Sequence, residues 1–374
     1  MYMVEEYQGL EQDASSKKKI FLGLGALVLL LAVLVLTIGP GWAASYYYKQ
    51  GEIEFKKGDH ARAKGLFERS LKFNSRFSES HFYLGMIALG KPTDAPGAEN
   101  YFPNADYRQA LKYFEEAIGL GIEKKVPDFY AQSLHYSGFS YLMLKETDKA
   151  NEKFELLIEK FPNSSFYARY LLARDYFERL NKPQEALEIL LPAPNQVISE
   201  IHKKYTLYEV YNLLARIYFF FDDFTNGKKY AELAITSSGG RRDISVMSSH
   251  INLAIAAGAN GDFVLAEAEI RIASGMAPSK INNFFDCYLA QAYYVGKEYK
   301  RAIEIAKLAP RPNAYVGSTC INVLAKSNLA LQNKTEAKNY FEQYLSFSAP
   351  ASVQKNALII RERERAQKAL ESLQ

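Results

Sequence analysis

The chain has 374 residues, a net charge of +4, 48% hydrophobic and 14% aromatic residues, and two cysteines. Lysine and arginine are mixed with acidic residues along the chain, so the basic footprint of a nucleic-acid binder is missing. Two cysteines exclude a disulfide-built miniature scaffold and a cysteine-rich metal frame.

The first predicted element is an uncharged run from Ile20 to Gly39. At ~1.5 Å per residue, about 20 apolar residues span the roughly 30 Å hydrocarbon core of a bilayer as a helix. Pro40 and Gly41 are expected to end it, and Trp42, Tyr46, Tyr47 and Tyr48 supply interfacial aromatics. Lys17, Lys18 and Lys19 flank its N-terminal end, whereas the next cation is Lys49. That bias places residues 1–19 in the cytoplasm and the rest of the chain across the membrane. A cleaved signal peptide is the rival reading, yielding a soluble exported protein. The long acidic N-terminal stretch and the length of the apolar run fit it less well.

From Ala44 onward the chain reads as paired short amphipathic helices with a repeating frame. Gly51, Gly58, Asp59, Ala63 and Phe67 set the offsets in the first unit, and the second reads Leu84, Gly85, Asp106, Tyr107, Ala110 and Phe114. The third carries Gly138, Tyr141, Ala150, Phe154 and Pro162. The fourth has Leu172, Ala173, Tyr176 and Ala186, and the fifth Leu214, Ala215, Tyr218, Phe224 and Ala234. Leu253, Ala254, Gly261, Asp262, Ala266, Ala273 and Pro278 mark the sixth. Leu289, Ala290, Tyr293, Tyr299 and Ala302 mark the seventh, and Leu324, Ala325, Ala337 and Phe341 the eighth. Small residues fall where helices cross closely and large ones fill the gaps between units, so stability comes from stacking. A Pro, Gly and Asn-rich insertion at about 90–105 interrupts the second unit. After the array at 44–350, residues 351–374 form a last amphipathic helix that suits a terminal cap. Its apolar face carries Ile359, Ala366, Leu370 and Leu373.

This frame resembles the tetratricopeptide repeat, a helix-turn-helix of roughly 34 residues. The resemblance implies an all-α solenoid of about eight repeats behind one transmembrane helix, in which the first helix of each repeat lines a concave groove. It places Tyr48, Glu52 and Phe55 in that groove, then Phe82 and Met86, and His135 and Phe139. Tyr170, Arg174 and Phe177 follow, and then Asn212, Arg216 and Phe219. Aromatic and arginine side chains are the usual anchors of protein recognition. The lysine and asparagine clamp that repeats of this kind use on acidic chaperone tails is absent from the first repeats. Tyr48, Glu52, Tyr83, Gln132 and Tyr136 stand there instead.

No catalytic or metal-binding spacing is present. The five histidines, His60, His81, His135, His202 and His250, fall in different repeats, and no phosphate-binding loop or nucleophile elbow occurs. Neither a cofactor nor a small-molecule substrate is expected. Cys287 and Cys320 occupy near-equivalent places in the seventh and eighth repeats, where a disulfide or two buried free thiols both fit. The sequence thus points to a non-enzymatic scaffold, anchored by one span in the inner membrane with its array in the periplasm. Its expected partners are proteins of an envelope complex, such as a flagellar motor collar or a secretion machinery. A transient peptide-binding adaptor or chaperone near a translocon is the alternative.

Overall fold

A computed structural model describes residues 39–90, 102–163, 165–193, 200–277, 285–309, 315–347 and 357–373. All regular structure among them is helical, and the chain divides into two compact units, Met1–Lys153 and Phe154–Gln374. No helix among the described residues is long and apolar enough to cross a membrane. The expected tail at 1–19 and the expected span at 20–39 lie outside those residues, apart from Gly39. Pro40 and Gly41, expected to end that span, are among the first described residues of a helix over 39–56.

In the first unit that helix, α1, precedes α2 (His60–Phe73), α3 (Ser78–Leu89), α4 (Tyr107–Gly119), the single turn α5 (Ile122–Lys125), α6 (Pro127–Met143) and the start of α7 (Thr147–Lys160). The second unit contains the end of α7, then α8 (Phe166–Glu178), α9 (Pro183–Leu190), α10 (Glu200–Phe220), α11 (Phe224–Ser237), α12 (Ile244–Ala259) and α13 (Phe263–Met276). It continues with α14 (Phe285–Val295), α15 (Tyr299–Leu308), α16 (Tyr315–Ala330), α17 (Lys334–Ser346) and α18 (Ala357–Glu371). Within each unit, successive helices pack as neighbouring pairs.

One turn design recurs between the two helices of a repeat. The amide of Gly58 donates to Phe55 O at 2.9 Å and that of Asp59 to Glu54 O at 3.0 Å. The same two bonds form at Lys145 and Glu146, Asp222 and Asp223, Gly261 and Asp262, Lys297 and Glu298, and Gln332 and Asn333. Each pair satisfies carbonyls left open at a helix C-terminus and requires a left-handed residue there. That residue has φ of 84° at Gly58, 64° at Lys145, 58° at Asp222, 77° at Gly261, 66° at Lys297 and 63° at Gln332. The next helix is capped at once: Asp59, Asp106, Asp223 and Asp262 accept from the amides of Arg62, Gln109, Asn226 and Leu265, each at 3.0 Å.

The crossings are tight. A Cβ added to Gly51 would sit 2.7 Å from the Phe67 ring, and one added to Gly85 would sit 2.7 Å from Phe114. Phe67, Phe114, Phe154 and Phe341 are almost wholly buried, and each such burial contributes about 1.5–3 kcal/mol. The insertion is tied back at its C-terminal end. Phe102 is buried between Tyr136 and Phe139, and its carbonyl accepts from Tyr107 Oη at 3.0 Å; residues 91–101 lie outside the described residues.

Helix α18 packs Ala366 and Leu370 against Ile321, Ala325, Ala337, Phe341 and Tyr344 of the last repeat. Its charged residues do more than face solvent. Arg363 donates to Phe347 O at 2.9 Å and to Leu345 O at 2.8 Å, closing the end of α17. Arg365 reaches Asp222, in the turn between α10 and α11, at 2.7 Å.

Candidate interaction groove

The first unit turns most of its predicted groove residues into packing. Phe82 is 3% exposed and stacks on Phe129 at 4.2 Å, while Phe139 is 1% exposed between Phe102 and Tyr107. Both fill gaps between helices, so neither offers a surface to a partner. Tyr48 and Phe55 are half-buried against Tyr83, at 6.0 and 5.0 Å between ring centroids. Glu52 is half-buried too, paired with Lys56 at 2.8 Å and accepting from Tyr83 Oη at 3.4 Å. Burial, reinforced by Glu52, pushes the phenol of Tyr48 well above its usual range and that of Tyr83 to about 12. Met86 and His135 are half-buried, with His135 edge-on to Tyr136 at 5.1 Å.

In the second unit the predicted residues separate into two places. Tyr170 is 8% exposed, its hydroxyl bonded to the Glu209 carboxylate, and the Arg174 guanidinium lies 5.4 Å from its ring centroid. Burial pushes Glu209 up to about 7, with Asp243 adding to the rise and Arg174 and Arg241 opposing it. Phe177 is fully buried, edge-on to Phe220, and carries Arg216 over its face at 5.5 Å. Tyr170 and Phe177 are therefore interior residues rather than groove anchors. Asn212, 8% exposed, accepts from Asn252 at 3.1 Å, and Arg216 pairs with Glu178 at 2.7 Å.

Arg216 and Phe219 line a cavity of about 740 Å³ that lies wholly within the second unit. Its wall is supplied by the first helices of four successive repeats: Arg216 from α10, Asn252 from α12, Gln291 and Tyr294 from α14, and Asn322 and Lys326 from α16. Helix α18 contributes Arg361, Glu362 and Arg365. Glu362 accepts from Asn322 Nδ2 at 3.0 Å and from the Lys326 ammonium. Arg361 stands over Phe220 at 4.7 Å, and its Nη1 donates to Phe219 O at 3.4 Å. Burial would raise Glu362, but Lys326, Arg361 and Arg365 outweigh it and hold the carboxyl below its usual range.

The later lining residues were within reach of the repeat frame. Leu324 and Ala325 in the eighth repeat stand where Leu214 and Ala215 stand in the fifth, so Asn322 and Lys326 are the counterparts of Asn212 and Arg216. The same step gives Gln291 and Tyr294 in the seventh. Nothing in the periodicity announces that α18 closes one side of the cavity.

Cys287 and Cys320 are joined as a disulfide between α14 and α16, with Cα atoms 4.7 Å apart and both side chains buried, rather than held as two free thiols. Among the described residues, no group of three or more His, Cys, Asp and Glu residues could hold a metal ion.

Two family models, both described as tetratricopeptide repeat, match residues 132–164 and 208–239. No curated protein matches the chain by sequence. Solved structures similar to it include PilF of Pseudomonas aeruginosa, at 14% identity and a TM-score of 0.45, covering 70% of this chain and 99% of that one. A tetratricopeptide repeat protein from Parabacteroides merdae is 12% identical with a TM-score of 0.32, covering 89% and 99%. The quorum sensor NprR from B. thuringiensis, in its apo form, is 15% identical with a TM-score of 0.41, covering 96% and 98%. The chain therefore contains tetratricopeptide repeats, one match spanning the boundary between the two compact units and one lying in the second, and all regular structure among the described residues is helical.

Proposed function

We propose that the chain is a membrane-anchored scaffold that binds other proteins of an envelope assembly through the concave side of its second unit. The observation that carries this reading is the cavity walled by Arg216, Asn252, Gln291 and Lys326, each from the first helix of a different repeat. Tetratricopeptide-repeat proteins bind other proteins, and a concave face lined with polar, arginine and aromatic side chains suits that use.

The apolar run Ile20–Gly39 with its lysine flank supports the anchor. Just beyond it, Trp42 is 77% and Tyr46 55% exposed, as interfacial aromatics would be. The Cys287–Cys320 disulfide supports an oxidising compartment, which for a bacterial inner-membrane protein is the periplasm. The finer reading is a structural part of a large envelope machine, such as a flagellar motor collar or a secretion apparatus. A second reading, a transient peptide-binding adaptor, is favoured by the cavity's size, which suits a few residues of a partner rather than a folded domain.

Purification of the full chain in mild detergent separates the two. Stoichiometric co-purification of a fixed set of proteins is expected of the scaffold; weak capture of many unfolded clients would transfer the conclusion to the adaptor. Protease treatment tests the topology. Cleavage of the array only after the outer membrane is permeabilised is expected, and protection in both states would overturn the periplasmic placement.

A further inference from the structure

Two acid-free stretches of the first repeat meet at one end of it. Residues 40–51 of α1 hold Lys49 and no carboxylate, and residues 69–78, which close α2 and turn into α3, hold Arg69, Lys72 and Arg76 and no carboxylate. The Tyr47 ring stacks on Phe73 at 5.5 Å between centroids, with 9° between the planes, and the Arg69 guanidinium lies 6.0 Å from the Tyr47 centroid. Trp42 and Tyr46, one helical turn apart on the same face of α1, extend this patch, Tyr46 edge-on to Tyr47 at 5.5 Å. Phe73 is 46% exposed, and Arg69, Lys72 and Arg76 beside it in sequence are exposed as well. The nearest carboxylate that follows, Glu79, is met by Lys125 at 3.5 Å.

What adjoins this patch indicates what covers it. Helix α1 is described from Gly39, the residue at which the apolar run Ile20–Gly39 ends, so Trp42 stands about 5 Å from that point along the helix. Phe73 is held at the level of Tyr47, about 12 Å from the same point. A bilayer's headgroup layer is roughly 5–8 Å deep on each side, so an upright α1 would carry Phe73 just past it, whereas tilting α1 toward α2 brings Phe73 down into it. The same tilt lowers Lys72 and Arg76, whose long side chains keep their charge in the polar layer while their stems lie along apolar surface. Aromatic rings at the boundary and cations among the phosphates are the composition of a surface that lies on lipid. Ile53, 44% exposed on α1, stands about 10 Å beyond Tyr46 and outside this contact.

The geometry points to a lipid-docking surface at this end of the first repeat: α2 leans onto the bilayer, Trp42, Tyr46 and Phe73 enter the headgroup boundary, and Lys72 and Arg76 meet the phosphates of anionic phospholipids. The surface fixes how the first unit sits on the membrane instead of leaving it to swing from a tether. The inference rests on the proposed membrane anchor and adds a second contact with the same bilayer, made by residues of α2 that lie outside the apolar run.

Trp42 is the only tryptophan of the chain, so its emission reports on the anchor and a relocated tryptophan reports on the patch. The full chain is reconstituted in phosphatidylcholine vesicles with or without phosphatidylglycerol, part of the phosphatidylcholine carrying bromine high on its acyl chains as a contact quencher. In a Trp42→Phe background, Phe73→Trp keeps an aromatic ring against Tyr47, while Arg62→Trp puts the reporter at an exposed position about 16 Å away along α2. Quenching is expected to be at least threefold stronger at Phe73→Trp than at Arg62→Trp, and about twofold stronger with phosphatidylglycerol than without it. Lys72→Gln together with Arg76→Gln should abolish that dependence on phosphatidylglycerol with an unchanged circular dichroism spectrum. Quenching of the parent's Trp42 with no more quenching at Phe73→Trp than at Arg62→Trp would overturn the inference and leave the anchor standing. No quenching at Trp42 would remove the anchor and the inference with it. An emission from Phe73→Trp that ignores lipid but moves to shorter wavelength as protein density rises would assign the patch to a second copy and likewise overturn the inference.

Discussion

At the scale of single residues, the turn that separates the two helices of a repeat carries the clearest energetic signature. Lys145 and Gln332 hold left-handed backbone that glycine adopts at Gly58 and Gly261. A side chain there costs roughly 1–2 kcal/mol, part of which glycine returns through the greater freedom of the unfolded chain. Lys145→Gly and Gln332→Gly should each stabilise the protein by about 0.5–1 kcal/mol in denaturant unfolding. Glu209 gives a pH dependence. Burial places its folded pKa at about 7, above the usual glutamate value, so its contribution to stability is full in acid and is lost as pH rises through that value. The unfolding free energy should fall by an amount on the order of 2–3 kcal/mol between about pH 4.5 and pH 7, read as a drop in melting temperature, and Glu209→Gln should flatten the profile. A glutamate at Arg174 or Arg216 would place a second carboxylate beside Glu209 or Glu178, so Gln is the substitution that tests either arginine in partner binding.

Between elements, glycines inside helices have opposite roles. A Cβ at Gly258 of α12 would lie 2.3 Å from the Ala292 carbonyl oxygen of α14, a backbone atom that side-chain rotation cannot relieve. Gly258→Ala should cost about 2–3 kcal/mol or prevent folding of the second unit. Gly65 meets nothing within 4 Å, so Gly65→Ala in the middle of α2 should gain about 0.5–1 kcal/mol, and paired thermal melts compare the two directly. The Cys287–Cys320 bridge ties α14 to α16 across 33 residues of sequence. Its removal by Cys320→Ala should destabilise the second unit by about 2–4 kcal/mol and abolish any mobility difference between reduced and non-reduced gels.

For the molecule as a whole, the helical repeat was legible because periodic apolar positions, small residues at crossings and aspartate caps are local signals that recur at a fixed spacing. The frame of Leu214-Ala215 and Leu324-Ala325 even pointed to the cavity wall. The partition of aromatic residues between core and groove was not legible. Phe82, Phe139 and Phe177 occupy first-helix positions like those of the cavity-lining Asn322, Arg216 and Phe219, and the neighbouring Phe129, Phe102 and Phe220 are what turn them into packing. Nor did the sequence reveal the return of α18 to Asp222, because Arg365 and Asp222 are 143 residues apart and neither breaks the repeat pattern.

The most direct test of the account is photo-cross-linking in living cells from a reactive amino acid at Gln291, inside the cavity, compared with exposed Val264, which does not line it. The account predicts a discrete cross-linked product at Gln291, with the same envelope protein that co-purifies with the full chain, and none at Val264. Cross-linking of that protein from Val264 but not from Gln291 would contradict it.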